Sequence, residues 1–261
     1  MNRDKKIILL AATVVAGVVG TLVVLPPVRQ DPTYHRFADQ RTWAGIPHAG
    51  DVLSNLSFVI VALLGLAALF MYARRDHGTA RIWTTPYTAF FIGIALIGAG
   101  SSYYHWAPDN AALVWDRLPM TLTFMSLFCA VIADRMGLTI GKELFVPLLL
   151  IGSGSVAYWS FTGDLRAYGL VQFMPVILLP LVCWMFPPRR GLRGPYLGGL
   201  LGLYGLAKVL EYYDHEVWNV LGHTVSGHTL KHVFAAAACA VVAWFMVQMS
   251  SGRHAVHTAR H

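Results

Sequence analysis

Apolar residues along this chain fall in long runs rather than in stripes at helical spacing. A helix needs roughly 20 such residues to cross a hydrocarbon core. Eight runs meet or approach that length, at approximately 7–26, 52–73, 85–106, 118–134, 143–161, 167–186, 194–212 and 229–249. Inside a membrane the backbone must satisfy its own hydrogen bonds, so each run predicts a helix. Pro147, Pro175 and Pro180 fall within these runs; neighbouring helices make such prolines tolerable. The pattern predicts an all-α, polytopic transmembrane helix bundle.

The first run follows Arg3, Lys5 and Lys6, as a signal peptide would. It is longer than a usual secretory core, however, and it ends in Leu25-Pro26-Pro27 rather than a small-residue cleavage site. A retained helix is expected. Lys and Arg in the loops set orientation. With the N-terminus inside, the inner segments hold 13 basic residues, among them Arg74, Arg75, Arg81, Arg135, Lys142, Arg189, Arg190 and Arg193. The outer segments and outer helix ends hold 7: Arg29, Arg36, Arg41, Arg117, Arg166, Lys208 and Lys231. Both termini are therefore expected on the cytoplasmic side, and the bias suggests a bacterial inner membrane. The longest loop is 27–51, which leaves no room for a soluble domain.

Composition agrees with the pattern. Of 261 residues, 56% are apolar and 13% charged, against about 25% charged in a soluble domain. The net charge of +7 raises the question of nucleic acid. The basic residues lie between apolar runs and form no single patch, which argues against it. Cys129, Cys183 and Cys239 each lie inside an apolar run without CxxC spacing. A disulfide framework or thiolate metal site is not expected.

Ionisable residues within spans are costly and usually face a cavity or a partner. Here they gather at one side. His105 closes the third run and Asp116 opens the fourth. Lys208, Glu211 and Asp214 lie at the end of the seventh, while His228 and His232 open the eighth. In the orientation above, this side is the outer one. His228 and His232 are four apart and share one helix face. With His105 from another helix they can present three imidazoles to one ion, leaving a position open, as in a catalytic zinc site. Such an ion lowers the pKa of a bound water to around 7 and polarises a carbonyl oxygen.

Other residues suit supporting roles, each with a structural alternative. Ser101 lies four before His105 and can orient a water or donate to an oxyanion; alternatively it packs, bonded to its own backbone. Asp116 can take and pass on a proton; alternatively it caps its helix or pairs with Arg117. Lys208 and Glu211, three apart, read as an ion pair within one helix. Asp214 can sit behind a ligand histidine. His35, His48, His215 and His223 lie in outer loops, where solvated or capping roles are ordinary. His254, His257 and His261 belong to a basic inner tail suited to anionic headgroups.

Three stretches together carry a family resemblance: Ser101-Ser102-Tyr103-Tyr104-His105, Asp116-Arg117-Leu118-Pro119-Met120 and His228-Thr229-Leu230-Lys231-His232, with the aspartate eleven residues after the first histidine. The chain resembles the alkaline ceramidase family, within the superfamily that includes adiponectin receptors. The similarity of layout spans about residues 37–249. It implies a seven-helix catalytic domain at 37–250, preceded by an added transmembrane helix and linker at 1–36 and followed by a basic tail at 251–261. It implies zinc on His105, His228 and His232, with Ser101 and Asp116 assisting attack of water on the amide of ceramide or a related membrane lipid. One departure concerns the acidic calcium-binding segment before the first core helix of eukaryotic members. Here that stretch offers only Asp39 and Asp51, with Arg41 between them. Hard cations want several oxygen ligands, so calcium is not expected. The Ser54-Asn55 pair also looks familiar; Asn55 can serve as an interhelical hydrogen bonder. Two alternatives to a ceramidase-like hydrolase stay open: a hydrolase of another lipid amide or ester, and a receptor or sensor that keeps the metal site.

Overall fold

The sequence pattern becomes helices almost everywhere in a computed structural model that describes residues 2–75, 82–189 and 191–251. The order is α1 (Arg3–Val19), α2 (Ala49–Ser54), α3 (Leu56–Arg74), α4 (Thr85–Trp106), α5 (Asn110–Arg135), α6 (Leu138–Thr162), α7 (Arg166–Met185), α8 (Gly194–Tyr212), α9 (Asp214–Val220) and α10 (Gly227–Ser250). A π-helical turn over Gly20–Val24 extends α1, and a short 3-10 turn covers Pro32–His35. The expected all-α bundle is present. The expectations placed on Arg81, on Arg190 and on tail residues 252–261 fall outside the described residues.

Among the described residues, six segments are long and apolar enough to cross a membrane: Arg3–Val24, Ala49–Arg74, Asn110–Arg135, Leu138–Thr162, Arg166–Met185 and Gly227–Ser250. They are compatible with an integral membrane protein. So is the outer surface. Leu63, Leu64, Phe161 and Trp184 are among many large apolar side chains that point away from the bundle, Phe161 at 87% and Trp184 at 80% exposure. A water-facing surface does not carry apolar area on that scale.

Two helices begin earlier than the hydrophobic runs indicate. α5 starts at Asn110, where the Asp109 side chain accepts from the Ala112 N–H at 2.6 Å. Asp116 therefore lies in the second turn of α5 and is not its cap, which removes one of the alternatives for that residue. α6 starts at Leu138, five residues before the run. For α5 the cap at Asp109, rather than apolar content, fixes where the helix begins.

Close helix contacts bring the polar ends together. A Cβ on Gly100 would lie 2.1 Å from the Trp115 carbonyl oxygen, so only glycine lets α4 approach α5 this closely. A Cβ on Gly227 would lie 2.3 Å from the Leu210 oxygen, which fixes the start of α10 under the end of α8. The outgoing end of α1 is fastened to the connection between α6 and α7. Asp164 accepts from the Val28 N–H at 3.3 Å, and the Leu165 N–H donates to the Val28 oxygen at 2.8 Å. The guanidinium of Arg166 grips Asp164 and also donates to the Leu22 and Leu25 oxygens at 2.9 and 2.6 Å. Those hydrogen bonds from Arg166 hold the Asp164 carboxyl down to about 2, so the clamp stays charged at any ordinary pH.

Candidate metal centre

The C-terminal turns of α4 carry Ser101 and His105, and the first turns of α10 carry His228 and His232. Because α10 starts beside the end of α4, all three histidines meet at one end of the bundle. Ring centroids are 4.7 Å apart for His105 and His228, and 4.9 Å for each of the other two pairs. One nitrogen from each ring lies within 4.8 Å of the others. All three residues are buried, at 0%, 4% and 1% exposure. Phe37 closes the cluster from outside, its ring 4.5 Å from His105 and 4.6 Å from His228.

These distances fit a shared ion. His105 Nε2 and His228 Nε2 are 3.2 Å apart. Two imidazole nitrogens bound to one tetrahedral ion at about 2.0–2.1 Å lie roughly 3.3–3.4 Å from each other. The buried trio of neutral nitrogen donors, with no thiolate near, can hold a metal ion. His105, His228 and His232 are thus brought together as the sequence predicts.

The orientation of His232 has an identifiable cause. Its Nδ1 is 2.8 Å from Ser54 Oγ, and that hydroxyl donates in turn to the Asp51 carbonyl oxygen at 3.0 Å. With its own proton committed, Ser54 must accept from Nδ1–H, which leaves the Nε2 lone pair facing the cluster. A neighbour of this kind raises ligand basicity and fixes the tautomer. Ser54→Ala is expected to weaken metal binding by about 10- to 100-fold. Chelator competition on purified protein measures this, and an unchanged affinity would show that the serine does not set the ring.

Asp51 also ties down α10. Its Oδ1 accepts from Ser226 Oγ at 3.1 Å and from Thr229 Oγ1 at 2.7 Å, on either side of His228. Asp214 works on the same helix, but not as a partner of a ligand ring. Its Oδ1 accepts from the His228 backbone N–H at 2.7 Å and its Oδ2 from the Ala38 N–H at 2.9 Å. It satisfies a free donor at the helix start and joins the linker to it. Asn55 likewise departs from expectation: its amide donates to the Asp51 oxygen at 2.9 Å, one turn back on its own segment, rather than across to another helix.

Ser101 and Asp116 border the ligands on the cavity side. Ser101 Oγ lies 3.5 Å from His232 Nε2, and Ser101 and Asp116 line the same cavity. Asp116 forms no ion pair with Arg117, whose guanidinium turns to Gln30. Lys208 and Glu211 do pair, as expected. Lys231 joins them, 3.6 Å from Glu211 and 3.3 Å from His228 Nε2. The charge pattern places Lys231 only among the basic residues of the expected outer side. Its position between two ligands in His228-Thr229-Leu230-Lys231-His232 was the available signal.

The loop histidines tie backbone and side chains together outside the cluster. His35 bridges Tyr104 and Asn110 at 2.8 and 3.1 Å, His48 reaches the Asp39 oxygen, and His215 reaches the Arg36 oxygen. Asp39 is gripped by Arg41, whose Nη2 also donates to the Thr224 oxygen at 2.8 Å. Burial pushes the Asp39 carboxyl up, but the hydrogen bonds from Arg41 outweigh this and hold it below its ordinary value.

An interhelical cavity of about 740 Å³ opens from Ser101, Asp116, Lys231 and His232. Its polar end is here, and its far walls are Phe124, Leu127, Met174, Leu200 and Ala238. Thr13, Gly17 and Thr21 of α1 line another side. The chain matches no protein-family model, no curated protein and no solved structure among those it was compared with.

Proposed function

We propose that this protein is a zinc-dependent membrane hydrolase that cleaves the amide bond of a lipid, ceramide or a relative of it. The observation that carries the reading is a buried three-histidine cluster that meets a largely apolar cavity through His232, with Ser101 and Asp116 on the same cavity wall. Ligation by nitrogen alone suits zinc. Zinc, when bound, polarises a carbonyl oxygen and makes water a nucleophile near neutral pH. The resemblance to alkaline ceramidases supports the same ligand set and the same supporting residues.

The chain's own residues then divide the work. His105, His228 and His232 hold the ion. The apolar cavity takes the lipid tails and keeps bulk water out, while the amide lies at the polar end. Asp116 accepts a proton from the attacking water as the C–O bond forms, and delivers it to the amide nitrogen as the C–N bond breaks. The products are a fatty acid and a free amine. Ser101, 3.5 Å from His232 Nε2, is placed to steady the water.

The test is metal analysis of purified protein, followed by a panel of lipid amides and lipid esters. About one zinc per chain and turnover of an amide with an aliphatic tail is the expected result. Tight zinc without turnover of any lipid would favour a receptor or sensor. Turnover of esters alone would keep the metal chemistry and reject the amidase.

A further inference from the structure

Arg117 follows Asp116 in α5 and lines the same cavity, yet nothing in the reading above uses it. It is 5% exposed. Nη2 donates to Gln30 Oε1 at 2.6 Å, while Nη1 is buried with no hydrogen-bond partner. The guanidinium sits over three rings, 4.2 Å from the centroid of Trp159, 4.8 Å from Tyr168 and 5.6 Å from Tyr34. Among the described residues no carboxylate pairs with it. Lys208 and Lys231, at the same end of the cavity, both have Glu211.

Burying a cation with an unused donor is costly. Three aromatic faces offset part of that cost by attracting the charge, but they supply no lone pair to Nη1. The planar fork of a guanidinium matches a carboxylate better than any other side chain does. Gln30 and Tyr34, from the linker after α1, hold the fork in place. Arg117 makes no hydrogen bond to the ligand histidines, so it meets a different polar group from the one that reacts.

We propose that Arg117 is a recognition subsite for a carboxylate on the polar end of the bound lipid. The inference rests on the lipid-amidase reading and narrows its substrate class. The substrate is an amide whose amine portion carries an acid, as in an N-acyl amino acid. The acyl tail occupies the apolar cavity, the amide lies by Asp116, and the acid group meets Nη1.

The experiment compares N-palmitoylglycine with N-palmitoylethanolamine, which share tail and amide and differ in carboxylate against hydroxyl. Affinities are measured on the full chain with metal bound, in lipid nanodiscs. Wild type is expected to prefer the acid by at least about tenfold. Arg117→Gln should bring that ratio close to one, and Arg117→Lys should keep part of it. A ratio near one in wild type overturns the subsite without recourse to any variant, and so does a ratio that survives in Arg117→Gln. Glycine and acetate, which lack the tail, test for a water-borne carboxylate; displacement of N-palmitoylglycine by either at matching concentration overturns the lipid assignment. Following hydrolysis of both lipids by the same metal-loaded protein separates the two readings. Preference without hydrolysis leaves the subsite standing and removes the amidase, whereas hydrolysis of both lipids without preference does the reverse.

Discussion

Replacing His105, His228 or His232 by alanine should strip the bound metal and lower lipid-amide hydrolysis by at least about a thousandfold. The size of the effect follows from burial. Each ring is almost wholly enclosed, and Phe37 covers two of them, so no water-facing side chain can swing in as a substitute. Two imidazoles that remain offer too few ligands to hold the ion in an open tetrahedral shell. Metal content and hydrolysis are measured on the same preparation. Alanine at His223, bonded to Asn219 and lying between α9 and α10, serves as the comparison and should keep its metal. Full hydrolysis in any one of the three ligand variants would dispose of the centre.

Asp116→Asn should behave differently. Metal should stay bound while kcat falls by about 100- to 10,000-fold, the range expected when a proton-transfer group is lost. Asparagine keeps the shape but cannot take a proton. Ser101→Ala should cost less, because it removes a positioning contact and leaves the carboxylate. An Asp116→Asn protein with unchanged kcat would mean that the proton travels elsewhere, with Glu211 the nearest remaining carboxylate on the cavity wall.

The histidine cluster was legible in the sequence because its parts are local. The spacings of 101 to 105 and of 228 to 232 are each one helical turn, and a turn reads the same in any fold. The bundle was legible because run length alone decides whether a segment is helical in lipid. What escaped depends on packing between distant segments. Ser54 meets His232 because the end of α2 lies against α10, and no spacing announces a contact across 178 positions. Asp214 looked like a candidate behind a ligand ring, yet it bonds a backbone N–H; a carboxylate at a helix start has a donor at hand whatever its side chain could reach. Arg117 beside Asp116 suggested an ion pair, but adjacent helical residues point in different directions, and aromatic rings from two other helices claim the guanidinium.

The first helix is fastened to the rest of the molecule chiefly at its two ends. At one, Arg3 donates to the Met136 oxygen at 2.9 Å and Lys6 to the Met185 oxygen. At the other, Arg166 holds the Leu22 and Leu25 oxygens. Between these moorings only Leu10 is buried. Thr13, Gly17 and Thr21 are therefore a thin partition between the chamber and the surrounding bilayer, pinned top and bottom like a blind. On the lipid-amidase proposal, this midsection is where a tail would enter sideways.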